Sequence, residues 1–276
     1  MRAPLKNSTL DSFRKIPLPP LMTSDHILGP NNSGCSQPIS IMKYFSLPIL
    51  LAFFVIYSYG QTPVTIPKGF VETIPPEVVS RKWYRLTHSK NAWGVSIING
   101  KLDIKKAKAI NKCELKITGG TLIGIDMGEW GGQLNFIPED PTKKAIEIRQ
   151  GNINFIFNFK DKIYFMEGLA HLGLSRGAIY QLDVSNDKFT FAKLIDLGDA
   201  PAAFVIYDDK FLVATSRGFC VIQDFKKELV FKDAFWAGLY PNSIAVLDEK
   251  NVFLGIRGGI VKLDLTNRTM KFYKNN

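Results

Sequence analysis

The sequence is poor in the side chains that build metal and redox centres. Its 276 residues include three cysteines and three histidines. None forms a Cys-x-x-Cys pair or a cysteine–histidine ligand spacing, which excludes a zinc module. A glycine-rich phosphate loop and a nucleophile elbow are also lacking, which removes the commonest nucleotide-binding and hydrolase signatures. No apolar run reaches the ~20 residues that a membrane-spanning helix needs. The longest candidate lies between residues 44 and 60 and is interrupted by Pro48. No dense block of Lys and Arg is interleaved with aromatics, so a nucleic-acid partner is not expected.

What the sequence has is repetition. Pro201–Phe231 holds four short apolar runs, each bounded by turn residues. Asp208-Asp209-Lys210 has counterparts in Asp248-Glu249-Lys250 and Lys160-Asp161-Lys162. Ser216-Arg217-Gly218 corresponds to Ser175-Arg176-Gly177 and Arg257-Gly258-Gly259, and Gly131-Gly132 opens a further copy. The marker glycines Gly132, Gly177, Gly218 and Gly259 are 45, 41 and 41 residues apart. Runs this short, rich in β-branched and aromatic residues, are strands rather than helices. A period of about 40–45 residues with four strands per unit predicts an all-β fold, a β-propeller of about five four-stranded blades. The same strands could also be arranged as a β-sandwich or an open β-meander. One four-stranded sheet cannot bury both of its faces, so the units are expected to stack. The acidic and lysine-bearing triplets are expected to be tight hairpin turns. The glycines of the Arg-Gly pairs are expected to take φ > 0 at the next turn.

Four blades are expected within residues 114–149, 154–194, 201–231 and 240–272. A hairpin over Trp93–Ile104, turning on Asn99-Gly100, contributes to a fifth. Segment 76–88 is expected to form a short helix that starts near Pro76 and carries Val78, Val79, Trp83 and Leu86 on one face. Residues 1–41 are rich in Pro, Ser and Asn without apolar periodicity, and are read as disordered or as lying upstream of a true start at Met42. Residues 42–60 read as a secretory signal peptide, with Ser58 and Gly60 at the −3 and −1 positions of a cleavage site. Residues 61–90 are then a lead-in to a propeller domain at 91–276. The expected location is secreted or periplasmic, with no stable membrane span after cleavage; an uncleaved signal anchor at 44–60 is the rival. Without residues 1–60 the chain carries 30 basic and 23 acidic groups, a net +7, scattered over turns and strand faces. Cys113 and Cys220 fall in different repeats and are read as free thiols, although export would permit a disulfide.

By analogy with propellers in general, the turns between second and third strands and the connections between blades share one rim, where ligands bind. The residues placed there are the candidates for function. Asp126, Glu129 and Trp130 lie in a glycine-framed turn, which suits an aromatic platform beside a carboxylate for a sugar, a peptide or a proton transfer. Packing of Trp130 on a neighbouring blade is the plainer alternative. His171 lies in a loop, Gly168–Gly177, that exceeds its counterparts in length. Arg176, Arg217 and Arg257 occupy equivalent turns, either as a clasp for an anion or each paired within the fold. Asn242 sits in a connection between blades.

The motif and loop pattern over residues 121–264 resembles secreted bacterial β-propeller proteins of unassigned function. A strong repeat without a catalytic constellation points to a rim-binding or scaffold protein with a glycan, peptide or protein partner. The alternative is a hydrolase or lyase using Glu129, His171 and Arg176. Some propellers are calcium-dependent lactonases, and that likeness would cast Glu129, Asn154, Asp199 and Asn242 as calcium ligands. No cofactor is otherwise expected.

Overall fold

The computed structural model describes residues 64–185 and 188–276. The signal-peptide reading of residues 42–60 and the reading of residues 1–41 lie outside the described residues. The described residues are all-β, with 19 strands in five sheets and one short α-helix. After β1 (Phe70–Thr73) and α1 (Arg81–Thr87) comes a two-stranded hairpin, β2 (Trp93–Ile98) and β3 (Lys101–Lys106). Blade 1 is β4 (Lys112–Ile117), β5 (Gly120–Asp126), β6 (Gly132–Pro138) and β7 (Ile146–Gln150). Blade 2 is β8 (Ile153–Phe159), β9 (Lys162–His171), β10 (Leu174–Ser185) and β11 (Lys188–Asp196). Blade 3 is β12 (Pro201–Tyr207), β13 (Lys210–Thr215), β14 (Phe219–Gln223) and β15 (Lys226–Phe231). Blade 4 is β16 (Ser243–Asp248), β17 (Asn251–Ile256), β18 (Gly259–Asp264) and β19 (Thr269–Asn275). Each blade is an antiparallel meander, and β1 adds a fifth strand to the outer edge of blade 4, antiparallel to β19. Three of the five sheets are therefore four-stranded, one has five strands and one has two.

Period-two alternation explains why the sheets stack in succession. Successive side chains of a strand point to opposite faces. On β13, Phe211 and Val213 join the apolar core against blade 2, whereas Leu212 and Ala214 join the core against blade 4. On β9, Phe165 faces blade 1, while Tyr164 and Met166 face blade 3. On β17, Val252 and Leu254 face blade 3, and Phe253 packs against the β2–β3 hairpin. Middle strands buried on both faces are what a propeller-like stack requires, and a two-layer sandwich does not supply them.

The turns follow local chemistry. Asn99-Gly100, Lys160-Asp161 and Asp208-Asp209 all place two successive residues at positive φ, the type I′ geometry that suits the twist of a hairpin. Asp248-Glu249 differs: Asp248 Oδ1 accepts from Lys250 N at 2.8 Å, and neither residue has positive φ.

Two expectations are corrected. Of the glycines in the Arg-Gly pairs, Gly177 and Gly218 do not take positive φ, whereas Gly258 does, at 83°. The regular spacing of the marker glycines Gly132, Gly177, Gly218 and Gly259 has a steric cause. A Cβ at Gly177 would lie 2.5 Å from Asp199 O, and one at Gly218 would lie 2.7 Å from Phe231 O. At Gly132 and Gly259 it would overlap the carbonyl oxygens of Ile125 and Tyr273. The helix also begins later than Pro76. Ser80 is its N-cap, its Oγ accepting from Trp83 N at 3.2 Å, and Val79 stays outside with φ 70° and its side chain exposed.

Candidate functional site

The turns grouped on one rim by the sequence do meet there in adjacent pairs. Asn152, between blades 1 and 2, donates from Nδ2 to Gly128 O at 2.8 Å. Asp126 accepts from Gly128 N and from Asn154 Nδ2, each at 2.8 Å, and so fixes the 3₁₀ turn Gly128–Trp130. Between blades 2 and 3, Asp199 accepts from the hydroxyls of Ser175 and Ser216 and, at 2.8 Å, from Arg217 N. Burial raises the Asp199 carboxyl's pKa, but the hydrogen bonds from Ser175, Ser216 and Arg217 outweigh it and hold the group below the usual carboxylate range. Asp199 is thus a clamp joining the repeated Ser-Arg-Gly turns of two blades.

The lead-in helix divides this rim. Trp83 Nε1 donates to Phe235 O at 3.0 Å, and Leu86 is buried against Gly258, where an added Cβ would lie 2.7 Å from Leu86 Cδ2. The turns of blades 3 and 4 are therefore partly covered. Arg257 is drawn into that cover: Nη1 donates to Thr87 O at 2.5 Å, and the guanidinium lies 4.3 Å from the centre of the Tyr240 ring. Arg217 lies 3.5 Å from Asp199 Oδ1. Asn242 Oδ1 accepts from Ser243 Oγ at 2.9 Å. Arg217, Asn242 and Arg257 are engaged within the fold and do not converge with Arg176.

The open part of the rim lies over blades 1 and 2. A cleft of about 340 Å³ there is lined by Glu129, Asn152, Glu167, Arg176, Tyr180 and Asp196, with the glycines of the adjoining turns. His171 Nε2 and Glu129 Oε2 are 3.0 Å apart, tying the β9–β10 hairpin to the 3₁₀ turn. Trp130 is 80% exposed. The guanidinium of Arg176 makes no hydrogen bond or ion pair among the described residues. Segment Gly168–Gly177 is not a long loop: β9 and β10 extend through it and turn tightly on Leu172-Gly173. The extension carries His171, and leaves Leu172 and Leu174 exposed at its tip.

Sequence reasoning did not reach the cluster behind the cleft, of which Glu167 and Tyr180 line the cleft itself. Arg149 pairs with Glu167, donates from Nη2 to Tyr180 OH at 3.1 Å, and stacks 4.6 Å over the Tyr180 ring. These residues sit on three different strands with no repeat marker. Asn152 is 5% exposed and its Oδ1 has no partner. The role of Asp199 had a visible signal, the serine that recurs before each Arg-Gly pair of blades 2 and 3.

Among the described residues, no group of three or more His, Cys, Asp and Glu side chains converges as a metal would require. Asn154 and Asp199 make hydrogen bonds within the turns. Cys113 and Cys220 are free thiols, pushed up to about 11 and about 12 by burial. No described helix is long and apolar enough to cross a membrane.

No family model matches the chain, and no curated protein matches it. Among solved structures it is similar to the crystal structure of the N-terminal domain of Nup159, at 8% identity and a TM-score of 0.35. The likeness covers 72% of this chain and 66% of that one, so the chain spans just under two thirds of its length.

Proposed function

We propose that this chain is an exported binding protein whose open rim cleft takes a carboxylate-bearing glycan. The observation that supports the reading is Arg176, a cation without a partner among the described residues, lining a cleft beside the exposed Trp130. A planar guanidinium matches a carboxylate through two parallel hydrogen bonds. An indole face gives a sugar ring an apolar platform, and the polar lining from Glu129 and Asn152 suits hydroxyl groups. Export follows from the signal-peptide reading of residues 42–60. Titration of acidic and neutral oligosaccharides by calorimetry tests the proposal. Acidic sugars bind saturably, and Arg176→Ala weakens them about ten-fold or more with the melting temperature unchanged. No affinity for any acidic sugar, or an unaffected Arg176→Ala variant, overturns it.

A second reading has one observation in its favour. Glu129 and His171 stand 3.0 Å apart at the same cleft, a pairing able to move a proton. In a hydrolase or lyase, Glu129→Ala abolishes turnover and keeps binding; in a binding protein no turnover exists to lose.

A further inference from the structure

A second cavity, of about 220 Å³, lies on the opposite face, at the seam between blades 2 and 3. It is lined by Phe159, Phe211, Ile222 and Phe225, with Lys160, Asp209 and Asp224 around them. Phe211, 2% exposed, lies at the base of this space, meeting Phe159 edge-on at 4.8 Å and Phe225 at 6.1 Å. It is smaller than the ~300–1,000 Å³ typical of sites for drug-sized ligands, so it suits a head group.

Three features give this cavity a chemistry. First, the chain already holds a cation at the mouth. Lys160 Nζ lies 4.9 Å from the centre of the Phe159 ring and 3.4 Å from Asp209 Oδ2. That ammonium is more than half exposed, so an incoming group can displace it. Second, Asp224 makes no ion pair or side-chain hydrogen bond among the described residues. Third, the turn carrying Asp224 and Phe225 has both residues at positive φ, 48° and 57°. That geometry favours Asp-Gly, and an aromatic residue there is strained. The strain sets the Phe225 ring, 41% exposed, at the edge of the cavity. The only side-chain acceptors are the two carboxylates, so a cation with methyl groups in place of N–H donors suits the aromatic walls.

We propose that this cavity is a binding site for a quaternary ammonium head group, with Phe159 and Phe225 as its walls, Phe211 as its base, Asp209 and Asp224 as its counter-charges and Lys160 as an internal competitor. The test is titration of the full-length chain, by calorimetry and NMR, with tetramethylammonium and choline. The neutral isostere 3,3-dimethylbutan-1-ol and sodium chloride serve as controls. Choline and tetramethylammonium bind saturably, and the neutral alcohol binds at least about ten-fold more weakly. Lys160→Ala tightens binding. Asp224→Asn and Phe225→Gly each weaken it by about three- to thirty-fold. Glycine accepts the turn geometry at residue 225, so that variant keeps its fold, checked by its melting temperature. Sedimentation with phosphatidylcholine vesicles separates the sources. Vesicle binding lost in Phe225→Gly assigns a lipid head group; choline binding without vesicle binding assigns a soluble ligand. Absence of saturable binding in both the wild type and Lys160→Ala overturns the proposal, as does equal binding of the neutral isostere.

Discussion

Asp199 is mostly out of water and still ionised, because donors from two blades point at it. Its pKa is lowered in the folded protein, so the unfolded chain binds the extra proton first. Its contribution to stability is full above the unfolded value of about 3.9 and is lost as pH falls through the lower folded value. Urea midpoints measured down the acid limb should fall more steeply for the wild type than for Asp199→Asn, and parallel curves would remove Asp199 from the account. The marker glycines give a second residue-scale expectation. Gly259→Ala drives a Cβ into the Tyr273 carbonyl and should cost upward of about 3 kcal/mol. Gly173→Ala meets open space at φ 86° and should cost only about 1 kcal/mol. Thermal melts of the two variants decide whether packing or backbone conformation selected these residues. The repetition of Gly132, Gly177, Gly218 and Gly259 was legible in the sequence. Its cause was not, because a carbonyl in the adjacent strand or connection is invisible from spacing alone.

At the scale of elements, α1 shapes the rim more than any strand does. It is seven residues long, too short to persist alone, and Leu86 anchors it in the core of blades 3 and 4. Leu86→Ala should cost about 2–4 kcal/mol, and Ser80→Ala about 1 kcal/mol through the lost cap. Both are measurable by denaturant unfolding. Loosening α1 also frees Arg257 from Thr87, so protease cleavage near residues 88–92 should quicken in Leu86→Ala and not in Ser96→Ala, a solvent-facing control. The sequence announced a helix here through its apolar spacing. It did not announce which turns the helix covers, since that depends on side chains over a hundred residues away.

For the whole molecule, the first and last described strands meet in blade 4, where Glu72 and Lys271 pair at 3.0 Å across β1 and β19. Deleting residues 64–76 bares the ladder edge of β19, and an open edge recruits another strand. Size-exclusion chromatography should show association of that variant and a monodisperse parent. The apolar cores join the hairpin to blade 4 and each blade to the next, while none among the described residues joins the hairpin to blade 1. Stability is therefore expected to grow along the stack toward blades 3 and 4, where hydrogen exchange should be slowest.

Strand supply, period and alternation belong to the sequence alone, because each depends only on neighbours along the chain. From them come the all-β class, the four blade boundaries and the set of turns that share a rim. Tertiary structure decided the rest. It chose which turns touch, partly covered the turns of blades 3 and 4 with α1, engaged Arg217 with Asp199 and Arg257 with Thr87, and left Arg176 facing a cleft. The reason is physical: a side chain's partner across a blade seam is set by how two twisted sheets pack, and that packing is fixed by buried volume rather than by sequence distance.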